Sequence, residues 1–136
     1  MTLPTSRADL AKWIAPLLAQ LDGPSTGNAI CTLTGIREAL PLLAEEYRRE
    51  KDGGRRRWLI HCLWQYRDRA ALPSLISGLH DSDERVWKEA LDGLVTLGDA
   101  DVLNALADAR GTTQAEKRKW IDEAIQQVRS ASASGG

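Results

Sequence analysis

The strongest constraint on this chain is a segment that comes back. Ala39-Leu40-Pro41-x-Leu43 recurs as Ala71-Leu72-Pro73-x-Leu75, 32 residues later. Val102-Leu103-x-Ala105 continues the series without the proline, and Pro16-Leu17-Leu18-Ala19 near the start matches Pro41-Leu42-Leu43-Ala44. Each copy opens a helical stretch that is followed by a second, more amphipathic one. A unit of this length is a helical pair with too little apolar surface to fold alone, so neighbouring pairs must stack and share a core. The proline within each first helix removes a backbone donor and predicts a bend in its axis.

Apolar spacing gives helices throughout. Ser6 caps a first helix whose face is Leu10, Trp13, Ile14, Leu17, Leu18 and Leu21, and Asp22-Gly23-Pro24 stops it. Residues 25–35 fit either a short helix carrying Ile30 and Leu33 or a structured loop. A helix with Ile36, Leu40, Leu43 and Tyr47 inward runs to about Lys51, where Asp52-Gly53-Gly54 is expected to end it through a left-handed glycine. The next helix turns Leu59, Ile60, Leu63 and Tyr66 inward, and Asp68 caps the one that follows, with Leu72, Leu75, Ile76 and Leu79. The turn His80–Asp83 leads into Val86, Trp87, Ala90, Leu91, Leu94 and Val95, closed by Gly98. Val102, Ala105, Leu106 and Ala109 mark a short helix, and Thr113 with Glu116 opens the last, which buries Trp120, Ile121, Ala124, Ile125 and Val128. No stretch alternates with period two for long enough to make a strand.

Composition sets the outer limits. At 136 residues, 43% hydrophobic and 27% charged, the chain is one domain able to build a core without staples. Two cysteines, Cys31 and Cys62, make no disulfide framework and are expected to be free thiols in a reducing compartment. The start MTLPTSRADL lacks the apolar core of a signal peptide, and no apolar run approaches the roughly 18 residues of a membrane span. The expected location is the cytoplasm.

Residues that invite chemistry do not assemble into motifs. Asp81, Asp83 and Glu84 resemble the start of a calcium loop, but Arg85 and Val86 occupy the positions that need an oxygen ligand and a glycine. They are expected to be turn and cap residues. His61 and Cys62, with His80 distant, lack the spacing of a zinc site. There is no nucleophile elbow, phosphate loop or Cys/His signature. The expectation is a non-enzymatic chain with no cofactor, no metal and no catalytic residues. Charge is segregated: residues 48–57 carry a net charge of +4 and residues 81–101 a net charge of −5. A two-sided surface suits a protein partner with matching patches better than a polyphosphate.

Residues 71–99 resemble a HEAT repeat of the short bacterial type. The matching features are Leu72-Pro73 with Leu75 and Leu79, the Asp81-x-Asp83 turn, and Val86, Ala90, Leu91 and Leu94. Residues 39–68 and 100–128 are looser copies. The resemblance implies an all-α, right-handed α-solenoid of three to four pairs, with repeats at about 7–35 (degenerate), 36–68, 69–99 and 100–129, a domain over 1–129 and a disordered tail at 130–136. The adjacent His-Glu pairs of metal-dependent HEAT hydroxylases do not occur here. Val86–Val95 also resembles a subset of small bacterial HEAT proteins that act as immunity proteins, which implies a partner protein, namely a cognate toxin. The alternatives are a general adaptor and a nucleic-acid-binding HEAT protein.

In such stacks the second helices line the concave surface. Aligning Asp68 with Asp99 sets Arg57, His61 and Trp64 beside Lys88, Asp92 and Val95, with Asp122 and Gln126 continuing the strip on the last helix. These eight residues are the expected protein-binding face. Nucleic acid is expected to bind weakly and without specificity. In a gel-shift assay near physiological salt, nanomolar affinity would refute that expectation, whereas binding confined to low salt would report counterion release at Arg55–Arg57.

Overall fold

A computed structural model describes residues 6–135 and places eight α-helices among them, with no strand. They are α1 (Arg7–Ala19), α2 (Thr26–Thr34), α3 (Leu40–Arg49), α4 (Gly53–Gln65), α5 (Leu72–Leu79), α6 (Glu84–Leu97), α7 (Ala100–Arg110) and α8 (Ala115–Gly135). Consecutive helices form four antiparallel pairs. The second members, α2, α4, α6 and α8, pack side by side in one layer, with the most extensive contacts between α4 and α6. The chain is an all-α solenoid of stacked pairs. Residues 1–5 and Gly136, assigned above to the domain and its tail, lie outside the described residues.

Capping aspartates set the period. Asp52 and Asp83, 31 residues apart, open α4 and α6 by accepting the backbone N–H of Arg55 and Arg85, each at 2.9 Å. Asp68 and Asp99 have the same spacing; they accept from Ala70 at 2.9 Å and Val102 at 3.0 Å and so start the first helix of a pair. Each cap satisfies a donor that a helix start leaves open. Ser6 caps α1 in the same way.

Three local expectations are corrected. Pro16 lies inside α1, whereas Pro41 and Pro73 do not sit in a helix interior. They lie in the first turn of α3 and α5, directly after short 3-10 turns at Arg37–Ala39 and Arg69–Ala71. The missing N–H is harmless there, because the first turn of a helix leaves that donor without an intrahelical partner. Gly53 and Gly54 begin α4 rather than closing α3, and neither has a positive φ. Neighbouring carboxylates crowd the backbone there: a Cβ on Gly53 would lie 1.9 Å from Asp83 Oδ2, and one on Gly54 2.9 Å from Asp22 Oδ2, so those side chains would have to swing aside. Finally, α8 continues through the serine- and alanine-rich segment expected to be disordered, as far as Gly135. Alanine propagates a helix that the preceding turns have already nucleated. Residues 25–35 resolve to a helix: Ala29, Ile30 and Leu33 of α2 are buried in the shared core.

Polar clasps tie successive pairs. Arg37 reaches Asp68 at 2.6 Å, and Arg69 reaches Asp99 and Asp101 one repeat later. Asp81 receives Arg56 through two bonds of 2.9 and 3.0 Å and the Tyr47 hydroxyl at 3.2 Å. Burial first, then the Asp81 charge, pushes the Tyr47 phenol up to about 12. The Tyr66 hydroxyl donates to the carbonyls of Leu33 and Ile36.

The core is densest where α4 crosses α6. A Cβ on Gly93 would stand 2.7 Å from Trp64 Cβ, 2.9 Å from Trp64 Cγ and 3.1 Å from Leu75 Cδ2. Helix propensity alone says Gly93→Ala should stabilise by about 1 kcal/mol. Overpacking a site with no room costs about 1–3 kcal/mol. Gly93→Ala is therefore expected to lower the urea midpoint, and a rise would show that α4 and α6 can separate freely.

Candidate protein-binding face

The layer of second helices carries two features: an aromatic–histidine cluster on α4 and a groove between α6 and α8. In the cluster, the His61 ring stands between Trp58 and Trp64, edge-on to both, with centroids 5.5 and 5.4 Å away. Positions 58, 61 and 64 are spaced by three, so one helix face supports all of them. His61 Nδ1 donates to Glu89 on α6, Trp64 Nε1 donates to the same oxygen at 3.3 Å, and Gln65 Nε2 bonds to His61 Nε2 at 3.3 Å. Glu89 is only 9% exposed. Burial alone would raise its carboxyl, but the His61 and Trp64 hydrogen bonds outweigh that and hold it below the usual range.

The groove is a cavity of about 130 Å³ between α6 and α8. Lys88, Asp92 and Val95 line it from α6, and Trp120, Glu123 and Gln127 from α8. Leu91 and Ala124 form its apolar floor. Trp120 is 43% exposed and meets the buried Trp87 edge to face at a centroid distance of 6.1 Å. The Lys88 ammonium lies 4.3 Å from the Trp120 ring centre and 2.6 Å from Glu84. Asp92 and Glu123 have no ion-pair partner among the described residues. Burial, then the charge of Glu89, pushes the Asp92 carboxyl above its usual value.

The eight residues expected to form one strip are divided. Lys88, Asp92 and Val95 share the groove. His61 and Trp64 belong to the neighbouring cluster, and Trp64 is also packed against Gly93. Arg57 stacks on Trp58, its guanidinium carbon 4.5 Å from the ring centre. Asp122 and Gln126 do not line the groove; Asp122 is ion-paired with Arg110 of α7. On α8 the groove positions are Trp120, Glu123 and Gln127, spaced by three and four. Without the proline and aspartate turn in the last repeat, the sequence alone could not phase that helix. Trp120, expected in the core, is the exposed wall of the groove, and Glu89, not singled out from sequence, is the hub of the cluster. Two members of the basic run are used inside the fold. Arg55 bonds to Glu50 and to the Leu18 and Leu21 carbonyls, and Arg56 to Asp81.

The fold and this face define a class, stacked helical repeats with one continuous second-helix layer. The family model for HEAT repeats matches residues 37–126, and the chain belongs to the HEAT-repeat family. A similar protein is the deoxyhypusine hydroxylase of Gallus gallus, 35% identical over 91 residues, which are 65% of this chain and 26% of the relative. The chain thus spans about a quarter of the length of the curated relative it matches. No solved structure matches. No helix among the described residues is long and apolar enough to cross a membrane.

The hydroxylase overturns the expectation of a non-enzymatic chain. That expectation rested on missing adjacent motifs, whereas the fold joins residues far apart, as with His61 and Glu89, 28 positions from each other. The similarity gives no support to the narrower assignment to immunity proteins.

The opposite shifts of Asp92 and Glu89 predict opposite effects on stability. A carboxyl raised in the folded state costs stability once ionised, so the cost is absent in acid and present at neutral pH. Asp92→Asn should therefore raise the urea midpoint at pH 7, with the gain fading below the ordinary carboxylate range. A carboxyl held low contributes stability above its unfolded value and loses it as pH falls through the folded value. Glu89→Gln should accordingly lower the midpoint at pH 7, with the deficit shrinking in acid. Equal midpoints for Asp92→Asn and the parent at every pH would refute the account of Asp92.

Proposed function

We propose that this chain is a protein-docking module whose second-helix face, centred on the α6–α8 groove, receives a partner. The observation that carries this is Trp120, the exposed large hydrophobic residue among the described ones, standing over a groove with two uncompensated carboxylates. Exposed aromatic anchors beside a pocket are where binding energy concentrates. Family membership supports the same function, since stacked repeats present extended surfaces to partners. A toxin is one class such a partner can belong to, and docking at this face does not depend on it.

The similarity to deoxyhypusine hydroxylase favours a second function, in which these repeats belong to an enzyme of that kind. Among the described residues no three His, Cys, Asp or Glu converge to hold a metal ion. Mass spectrometry of a deoxyhypusine-bearing protein incubated with this chain and a reductant in air tests it. Gain of one oxygen would support the enzyme, and an unchanged mass would count against it.

The docking function is tested by comparative capture from the source cells. Trp120→Ala should lose the proteins that the parent retains while keeping its melting temperature within a few degrees, because the ring is half in solvent. Leu91→Ala is the contrasting variant, expected to cost about 2–5 kcal/mol by opening a core cavity. Identical captured sets for Trp120→Ala and the parent would place any partner elsewhere.

A further inference from the structure

The α6–α8 groove has a chemistry more specific than a generic docking surface. Its floor is apolar, made by Leu91, Val95 and Ala124, and one wall is the exposed Trp120. Its two free acids, Asp92 and Glu123, come from opposite helices and so flank the slot. The cation in the lining, Lys88, is already engaged by Glu84 at 2.6 Å and by the faces of Trp87 and Trp120. It therefore leaves the charge of Asp92 and Glu123 unneutralised. Most other acids in the fold are spent: Asp52, Asp68, Asp83 and Asp99 cap helices, and Asp81 holds Arg56 and Tyr47.

The geometry points to an arginine side chain of a basic partner segment as the occupant of this groove. Its methylene stem lies along Leu91 and Val95, and its guanidinium is shared between Asp92 and Glu123 beside Trp120. An apolar slot ending in charge suits a long amphipathic side chain. Arginine fits better than lysine because a planar fork serves two carboxylates at once, while an ammonium is a compact, strongly hydrated point charge.

This inference rests on the docking function proposed above, and its test separates the two. Three capped hexapeptides, identical except for a central arginine, citrulline or lysine, are titrated into the ¹⁵N-labelled chain. Citrulline keeps the shape of arginine and removes its charge. With the arginine peptide, the Trp120 indole N–H and the amides of Asp92 and Glu123 should shift together with one dissociation constant. The citrulline peptide should bind at least about tenfold more weakly, and lysine should fall between the two. Asp92→Asn with Glu123→Gln should abolish the preference for arginine over citrulline while leaving the rest of the spectrum in place.

Equal response to arginine and citrulline, or an arginine response that survives the double substitution, overturns the inference. If Trp120→Ala loses its captured partner but arginine does not perturb the groove, docking stands and the arginine occupant falls. If arginine binds the groove but no partner depends on Trp120, the arginine site stands and docking at this face falls.

Discussion

The crossing of α4 and α6 at Gly93 is the contact on which the rest of the molecule depends. No side chain stands between the helices there, so Trp64 lies directly against the α6 backbone and Leu75 of α5 closes the third side. Gly78 plays the same part where α5 meets Ile60 and Ala90. Close approach of this kind fixes the spacing and rotation of the central second helices. It thereby sets where Glu89 meets His61 and how far apart α6 and α8 open. A solenoid has no long-range contacts to correct a local error, so a shift at the central crossing would pass to every neighbouring pair.

Around that apolar centre the polar groups divide into structural and uncommitted sets. The arginine-rich run from Arg55 shows the structural use. Arg55 satisfies carbonyls at the end of α1, and Arg56 is fixed in two bonds to Asp81, so residues that read as a basic patch act as pins between pairs. Exposed pairs such as Arg69 with Asp99 contribute little energy each, but their repetition helps define the register in which pairs stack. Asp92 and Glu123 are among the acids without an ion-pair partner in the described residues, and they share one groove with the exposed Trp120.

The class of fold was legible because its causes are local and periodic. The recurring Ala-Leu-Pro-x-Leu segment, the aspartate caps and the helical spacing of Leu, Ile and Val each act within a few residues of themselves. Errors arose where a residue's role depends on a neighbour from another pair. Gly53-Gly54 reads as a helix stop, yet the Asp52 carboxylate caps the Arg55 N–H and α4 starts at Gly53. Asp122 and Gln126 were phased by extending the strip across a repeat that lacks its landmarks, and the helix they sit on is rotated so that Glu123 and Gln127 face the groove instead. In the sequence alone the absence of an adjacent His-Glu pair argues against enzymatic kinship, and the similarity to a hydroxylase corrects that reading.

By itself the sequence determined that this chain is helical, that its helices come in stacked pairs, and which residues form most of the core, because hydrophobic spacing and capping chemistry are written along the chain. Only the tertiary structure decided which polar residues are consumed and which remain. Whether Arg56 is a surface cation or a buried clasp depends on the place of Asp81, 25 positions away, and whether Trp120 is core or wall depends on the angle between α8 and α6. Burial and charge compensation are properties of neighbours in space, and no pattern within one helix specifies them.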